Sequence, residues 1–457
     1  GDTITIPSGA TIQNLGTATG FGGTGVVSWD TASIKTVDFT AVTGTGYFVD
    51  TATTGEVEVT LPLSPAAGDV VGVSDYAKNF NTANCILLRN GSNIGGVAFD
   101  ATMSTQGTAV TLVYVDATKG WIVTDSGNQT DAPTALYIAA TGGCITTCGN
   151  FKVHTFQSPG TFCVSAVGNP AGSSTVDYMI VAGGGAGQSK NSIYPAPPGR
   201  YSNGGGGAGG WIASAGTASG CYTAGPAPLT GPVSASPVSA TPYAIVVGGG
   251  GSAPSIPASC ATGGPGSVSS FNSIVATGGG GGGYGSTPPA STAGANGGSG
   301  GGGGSGGPAA GGTGNTPVIS PPQGESGGPG SSSANTAAGA GGGAGAVGGT
   351  GVGTPGGPSS CGGVGGAGVT SCISFSPVAY AGGGGGGAGY PCGTTGATAG
   401  AGGTGGGGAG GMSPSNGVAG TQYRGGGGGG AGGDGSAGSC TGGGGGDGVV
   451  VIRYRYQ

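Results

Sequence analysis

The chain is poor in charged and aromatic residues. Asp, Glu, Lys and Arg together make up 6% of its 457 residues, Phe, Trp and Tyr make up another 6%, and there is one His. Because ordinary globular domains carry about 25% charged residues, this composition disfavours a conventional enzyme domain. The net charge of −6, without a basic cluster, argues against a nucleic-acid partner. No run of about 18 apolar residues occurs, so we predict no membrane-spanning helix.

Glycine takes the place of the missing residue types. It supplies 122 positions, and 98 of these lie in residues 181–457. Between Arg200 and Arg424 the only charged residue is Glu325. A collagen-like helix would need Gly at every third position, and the unbroken run at 278–283 excludes it. The chain therefore divides near residue 180 into an ordinary part and a glycine-rich part.

The glycine-rich part is predicted to be ordered. Disordered segments are rich in charged and polar residues, and this part has almost no charge. Runs of Gly can adopt the extended threefold helix of polyproline, and each Gly keeps an N–H that can bond to a neighbouring helix. The similar lengths of the runs predict repeated crossings of one layer, with Ala at its outer positions. The runs are 204–207, 248–251, 278–283, 301–304, 382–387, 405–408, 425–430 and 442–446, and the Ala residues are Ala208, Ala344, Ala388, Ala409 and Ala431.

The ordinary part is predicted to be all-β, without an α-helical core. Runs of β-branched and aromatic residues indicate strands at 56–61, 70–73, 85–88 and 110–115. We interpret this part as a fibre-type region that precedes a domain of packed polyglycine II-type helices flanked by a small β-sheet. A chain of this kind would gain the buried surface it lacks by forming a homotrimeric shaft.

Three strand-like runs flank or interrupt the glycine-rich part, at 175–182, 243–247 and 448–456. We expect them to pair in one small sheet that brings the entry and the exit of this part together. The last run alternates Arg453 and Arg455 with two Tyr residues, so we expect one of its faces to be exposed or at an interface.

These patterns predict five regions. They are a β-rich intertwined shaft at 1–37, a β-sandwich-like module at 38–130, a connecting β segment at 131–180, the glycine-rich domain with its end loops at 181–448, and a closing strand at 449–457.

Binding is predicted in the loops between the glycine runs. Such loops on a rigid scaffold are a common layout for recognition, and Tyr and Trp supply rigid contact area with a polar tip. Arg200 and Arg424 are the cations near these loops and suit acidic sugars. The alternative is that the aromatic residues only pack against the glycine layer. The aromatic candidates are Tyr194, Tyr201, Trp211, Tyr222, Tyr284, Tyr380, Tyr390 and Tyr423.

Ten Cys residues permit up to five disulfides, and unpaired buried thiols are the alternative. Proximity in sequence suggests three pairs, Cys361–Cys372, Cys221–Cys260 and Cys392–Cys440, although sequence cannot fix the pairing. Cys144 and Cys148 are further candidates for a local disulfide. Disulfides would place the chain in an oxidising, extracellular setting.

Catalysis and cofactor binding find little support. Four zinc ligands could come from Cys144, Cys148, His154 and Cys163. Their spacing is loose, however, and His154 fits a structural position in a strand. Glu56 and Glu58 share a strand face at a spacing that overlaps that of glycosidase carboxylates, without an aromatic groove beside them. We therefore predict no enzymatic activity, no metal and no cofactor.

Two groups of motifs resemble tail-fibre proteins of phages that infect marine cyanobacteria and other marine bacteria. Residues 47–50, 64–69, 89–92 and 112–121 look like a module of such fibres. The glycine-rich domain attached to such fibres is similar in segments 152–156, 160–162, 176–178, 181–185, 204–211 and 448–454. The ten Cys residues depart from that pattern, where Ser, Thr or Gly is expected.

The resemblance implies a virion fibre or adhesin whose end loops contact the host surface. We expect a homotrimeric, extracellular virion protein that binds other tail-fibre proteins and a host glycan or outer-membrane protein. One alternative is a structural subunit of a bacterial surface filament. Ice binding is a further alternative, which regular columns of Thr or Ala on one face would favour. A glycan-cleaving fibre is the most distant alternative.

Overall fold

The computed structural model describes residues 27–128, 136–169, 172–190, 201–220, 222–226, 229, 233–255, 262–286, 291–307, 309–332, 337–353, 360–389, 396–433 and 440–457. These residues form strands, turns and extended segments, and no helix occurs among them. In this described part, no helix is long and apolar enough to cross a membrane. The prediction of an all-β chain without a helical core is confirmed. The chain divides into two compact units, residues 1–134 and residues 135–457.

The first unit contains nine strands in its described part. They are β1 Ser28–Lys35, β2 Phe39–Thr40, β3 Thr45–Val49, β4 Val57–Thr60, β5 Val70–Asp75, β6 Cys85–Leu88, β7 Ala101–Met103, β8 Thr108–Asp116 and β9 Gly120–Asn128. The predicted strands at 56–61, 70–73, 85–88 and 110–115 correspond to β4, β5, β6 and β8.

The first six strands alternate between two sheets. One sheet has the order β1-β3-β5-β8-β9 and the other has the order β2-β4-β6-β7. Because the chain crosses to the other sheet after each strand, β1, β3 and β5 run parallel, as do β2, β4 and β6. Val57 and Val59 are fully buried in the core between the sheets, and Glu58 between them is exposed. Residues 28–35, part of the predicted shaft, therefore belong to the first sheet.

The second unit contains fifteen strands in its described part. They are β10 Ala139–Thr141, β11 Cys144–Cys148, β12 Phe151–Phe156, β13 Gly160–Ala166, β14 Thr175–Val181, β15 Trp211–Ala213, β16 Ser236–Pro237, β17 Pro242–Val246, β18 Ser269–Phe271, β19 Ile274–Ala276, β20 Val352–Gly353, β21 Ser360–Cys361, β22 Val369–Ser371, β23 Val378–Tyr380 and β24 Val449–Arg455.

The entry and the exit of the glycine-rich part lie side by side, as predicted. β14 pairs antiparallel with β24, and β12 pairs with the other edge of β24. The strand predicted at 243–247 was placed in the wrong sheet, because β17 lies in a second sheet with the order β10-β13-β17-β18-β19. Large apolar side chains from both sheets, such as Phe162, Phe271 and Ile452, fill the core between them. The predicted regions 181–448 and 449–457 thus share one unit with residues 135–180 of the predicted connecting segment.

The expectation of an exposed face on β24 is wrong. Arg453 is 6% exposed and Tyr454 is fully buried. The reason is that β24 lies in the middle of the sheet β11-β12-β24-β14-β15, where residues of β24 and β14 are covered on both faces. Tyr454 packs in the core between the two sheets. The opposite face, with Met179 and Val451, packs against Trp211 and other residues from the glycine-rich part.

Eighteen extended segments fill most of residues 182–448 in the described part. They hydrogen-bond through the backbone with a period of three residues. In residues 182–188, for example, Gly184 and Gly187 donate to Gly446 and Gly443 of one neighbour, whereas Gly185 donates to Gly207 of another. The segments are 182–190, 203–210, 248–255, 262–268, 277–286, 291–297, 298–306, 309–313, 323–331, 337–346, 347–353, 360–368, 381–389, 396–404, 405–412, 416–421, 425–433 and 440–448.

Interior segments have neighbours on all sides. Every amide from Gly204 to Gly210 donates a hydrogen bond, and the acceptors lie in segments 277–286, 337–346 and 425–433. Carbonyls of the same segment accept from segments 182–190, 298–306 and 381–389. The prediction of one layer is therefore wrong, and the segments form a bundle of several rows, here called the glycine bundle. A period of three lets each segment bond in several directions, whereas a β-strand bonds only to its two sides.

Glycine is required in this bundle because it has no Cβ. A Cβ on Gly184 would lie 2.1 Å from the carbonyl oxygen of Gly426, and one on Gly206 would lie 2.1 Å from that of Gly185. These contacts are far below van der Waals distance, so any larger residue would force the segments apart. The expectation that Ala residues occupy outer positions is largely wrong, because Ala208, Ala344, Ala388 and Ala431 are fully buried.

Candidate functional site

The glycine bundle has two chemically different ends. At one end, here called the sheet end, the segments join strands: Ala182 follows β14, Gly210 precedes β15 and Gly448 precedes β24. At the opposite end, here called the tip, few strands occur among the described residues. Successive segments run in opposite directions, so the connections alternate between the tip and the sheet end.

Most of the long connections at the tip lie outside the described residues, but the residues that flank them are described. At the tip the described chain leaves the bundle and returns to it at seven pairs of flanking residues. The pairs are 190 and 201, 255 and 262, 286 and 291, 332 and 337, 353 and 360, 389 and 396, and 433 and 440. Backbone bonds join the flanking residues to one another, as in Gln188 to Gly204, Asn203 to Ala431 and Gly387 to Asn203. The bundle therefore brings residues that flank connections distant in sequence to one end.

Buried polar side chains close the segments at the tip. Ser202 and Ser305 are fully buried, and the Ser202 amide donates to Ser305 Oγ at 2.7 Å. Asn203 Oδ1 accepts from the Gly285 amide at 3.1 Å, and Ser189 Oγ accepts from the Gly442 amide at 3.0 Å. These side chains satisfy backbone amides that have no further glycine segment to bond to, as caps do at helix ends.

The predicted binding residues separate between the two ends. Tyr201 and Tyr284 lie at the tip. Tyr201 is half-buried, with its ring against Gly306, and Tyr284 is 7% exposed. Tyr194, Arg200 and Tyr390 lie outside the described residues, within connections whose flanks are at the tip.

The other five predicted binding residues lie at the sheet end. Trp211 is fully buried and Tyr380 is 6% exposed, so both belong to the core beneath the bundle, which fits the alternative that these aromatic residues pack against the glycine layer. Tyr222 packs at the edge of the same core. Tyr423 is 40% exposed. Arg424 is half-buried, its guanidinium lies 5.7 Å from the Tyr380 ring centre, and its Nη1 donates to Ala379 O.

Arg453 occupies an aromatic cage that the sequence did not indicate. Its guanidinium lies 4.5 Å from the ring centre of Tyr222 and 4.9 Å from those of Phe151 and Phe375. Burial lowers the pKa of Arg453, and nearby Tyr222 and Asp177 counteract this effect. The cage joins β12, β24 and two loops of the glycine-rich part, so Arg453 holds the sheet end together.

The described cysteines do not form the predicted Cys361–Cys372 disulfide, and both are free thiols. The two residues lie at opposite ends of the bundle, because Cys361 is near the start of segment 360–368, at the tip, and Cys372 follows its end, at the sheet end. Cys144 and Cys148 are exposed free thiols at the two ends of β11, so they form no local disulfide. Cys221, Cys260 and Cys392 lie outside the described residues, and the described Cys440 is buried at the tip.

The residues considered above for metal binding or catalysis do not form a common site in the described part of the chain. Among the described residues, no group of three or more His, Cys, Asp or Glu side chains is placed to hold a metal. His154 is fully buried, with Nδ1 2.6 Å from Gly142 O and Nε2 3.1 Å from the Tyr454 hydroxyl. Glu56, which directly precedes β4, and Glu58, which lies in β4, are both exposed.

A comparison with family models places residues 157–455 in a family described as a glycine-rich domain. The match covers the second unit from the turn before β13 to the last residue of β24. No curated protein matches the chain.

Proposed function

The chain belongs to the glycine-rich domain family, and on that premise we propose that it is a receptor-binding adhesin of a virion tail fibre. In this proposal the tip connections contact a glycan or an outer-membrane protein of the host surface. The protein acts without catalysis, outside the cell, as a homotrimer joined to other fibre proteins. The observation that carries the proposal is that the residues flanking these sequence-distant connections lie together at the tip, opposite the sheets.

We further infer that the glycine segments are polyglycine II-type helices. The support is the period of three in their hydrogen bonds and the placement of six neighbours around residues 203–210. A threefold helix directs successive amides about 120° apart, which is what such packing needs. The resulting scaffold is rigid at its interior, and recognition loops gain affinity when a scaffold holds them in place.

The proposal is tested by comparing two tyrosines at opposite ends of the bundle. Tyr201→Ala changes the tip, and Tyr423→Ala, at the sheet end, is its matched control. The full chain is applied to an array of bacterial lipopolysaccharides and capsular glycans and to outer-membrane vesicles. We expect Tyr201→Ala to weaken binding about tenfold and Tyr423→Ala to leave it unchanged, because truncation of one aromatic contact residue costs more than about 1 kcal/mol. Equal effects of the two changes would exclude the tip as the receptor site.

The alternative of a surface filament predicts a different assembly. A closed trimer has about three times the chain mass of 41.5 kDa, whereas head-to-tail contacts give an open series of masses. Light scattering of the full chain separates these outcomes.

One observation favours ice binding as a second candidate. On the outer segment 396–404 the exposed residues Thr398, Ala401 and Thr404 recur at every third position. A threefold helix places such residues in one column with a spacing of about 9 Å. Thermal hysteresis of the full chain, lost on replacing Thr398 and Thr404 with Lys, would favour this candidate over the adhesin.

A further inference from the structure

Among the described residues, strand β11 has no strand paired to its outer side, so it is an edge of the sheet β11-β12-β24-β14-β15. It pairs with β12 on one side, and all five of its residues are exposed. The strand carries no charged residue and no proline. Natural proteins usually protect such edges with charge, proline or a covering segment, because an open edge is a template for another strand.

The pairing pattern shows which backbone groups of β11 are open. The Tyr456 amide donates to Asn150 O, so the backbone of residue 150 is directed towards β24. Because antiparallel strands alternate, Phe151, Val153 and Thr155 are directed towards β11. Their partners in register are Cys148, Thr146 and Cys144. The N–H and C=O groups of Ile145 and Thr147 are therefore directed outwards.

The sequence of β11, Cys-Ile-Thr-Thr-Cys, is nearly symmetric about Thr146. If a second β11 pairs antiparallel about a twofold axis at Thr146, Ile145 lies opposite Thr147 of the other copy. These are the two residues with outward backbone groups, so each such pair exchanges two hydrogen bonds and the strands form four in total. In this register Cys144 lies opposite Cys148 of the other copy.

We propose that β11 is a self-association edge, at which two copies of this chain pair antiparallel and are then linked by two Cys144–Cys148 disulfides. The cysteines face each other at non-hydrogen-bonded sites, where Cα atoms are about 4.5 Å apart, and disulfides accept Cα separations of about 4.4–6.8 Å. Both thiols are free and exposed. The occupant is a second copy because the cysteine positions and the open backbone groups match those of β11 itself. This contact goes beyond the proposed receptor binding, and in the proposed homotrimer it joins a chain of one trimer to a chain of another.

The covalent step requires an oxidant, which we take to be a small-molecule disulfide such as oxidised glutathione. The Cys144 thiolate attacks one sulfur of this disulfide and releases one small thiol. The Cys148 thiolate of the other copy then attacks the Cys144 sulfur of the mixed disulfide and releases the second small thiol. Each interchain bond therefore reduces one small disulfide to two thiols, and two such bonds form per pair of chains.

Single-cysteine variants of the full chain test the register. Cys144→Ser keeps only Cys148 on β11, and Cys148→Ser keeps only Cys144. After incubation with oxidised glutathione, we expect the mixture of the two variants to form a disulfide-linked dimer on a non-reducing gel. Each variant alone should form no more dimer than a chain that carries both changes, because like residues would be separated by about 14 Å along the strand. Cys361→Ser, which removes another exposed thiol, should dimerise like the unchanged chain.

Three results would overturn the proposal. Dimers of each single variant as abundant as those of the mixture would mean parallel or random pairing. The absence of dimers in the mixture would mean that the edge does not self-associate. Dimers that persist when Thr147→Lys is added to both variants would show that pairing along β11 does not bring the cysteines together, since a charge on the edge opposes strand pairing.

Discussion

At the residue scale, the glycine bundle depends on the absence of Cβ atoms. Among the described glycines of the bundle, positive φ occurs at a few turns such as Gly405, Gly406 and Gly425, and most of the others have a φ that other residues could adopt. What excludes other residues is the space for a Cβ. Most described glycines of the bundle point a Cα hydrogen at another segment, and a few, such as Gly249, do not, so neighbouring glycines are unequal.

Gly249 and Gly250 provide a matched pair that tests this requirement. A Cβ on Gly250 would lie 2.0 Å from Gly445 O, whereas one on the exposed Gly249 would have Asp447 Oδ1 at 3.7 Å as its nearest neighbour. We expect Gly250→Ala to lower the free energy of unfolding by about 1–3 kcal/mol through overpacking. Gly249→Ala should change it by less than about 0.5 kcal/mol. Denaturant unfolding of both variants measures the difference, and equal values would contradict the role assigned to the missing Cβ.

His154 makes stability depend on pH in a defined direction. Burial lowers the pKa of His154 below its ordinary value of 6.5, with a smaller effect of Lys152 in the same direction and an opposing one from the hydrogen bond to Gly142. The folded state therefore favours the neutral ring, and the unfolded chain takes up a proton first. Stability is complete above about pH 6.5 and falls below it, by at most about 1.4 kcal/mol per pH unit.

Replacement of His154 tests this dependence, because it is the only His in the chain. We expect the free energy of unfolding of the unchanged chain to decrease between about pH 7 and about pH 5.5, a range in which other side chains titrate little. His154→Gln should be less stable but nearly independent of pH over the same range. Parallel pH profiles for the two proteins would contradict the assignment.

At the scale of the element, the interior segments combine an unusual composition with complete amide bonding. All seven amides from Gly204 to Gly210 donate to neighbouring segments. We expect peptides that cover residues 203–210 to exchange amide hydrogens at least about 100-fold more slowly than in the denatured chain, because exchange then needs the bundle to open. Hydrogen–deuterium exchange with mass spectrometry measures this ratio. Exchange at the denatured rate would mean that these segments are not held by one another.

At the scale of the whole molecule, the sequence predicted strands better than their partners. β14 and β24 were predicted as neighbours because they border the glycine-rich part, but β17 lies in the other sheet. A short β-branched run carries a strand signal and no signal for its partner. Likewise, Arg453 could not be predicted as buried, because its cage comes from residues 151, 222 and 375.

The sequence could predict which residue types belong to the candidate site, but not where those residues lie in the bundle. Aromatic residues near loops were identified, yet their exposure depends on the end of the bundle at which each loop lies. The alternation of successive segments contains that information: from β14 onward, the first connection lies at the tip and the second at the sheet end. Counting crossings would have assigned Tyr201 and Trp211 to opposite ends. A glycine run shows its length but carries no side-chain pattern to identify its neighbours.

The near-identity of the segments has a consequence for assembly. Exchanging two interior segments would leave the number of amide bonds almost unchanged, so the backbone alone permits many degenerate arrangements. A unique order of segments requires contacts that only one pair of segments can make, and the rare polar side chains supply such contacts. Gln323 Oε1 accepts from the Thr277 amide, and Asn203 Oδ1 accepts from the Gly285 amide, each at a single place in the bundle. The specificity of this unit thus resides in its scarcest residues, while its abundant glycines supply only cohesion.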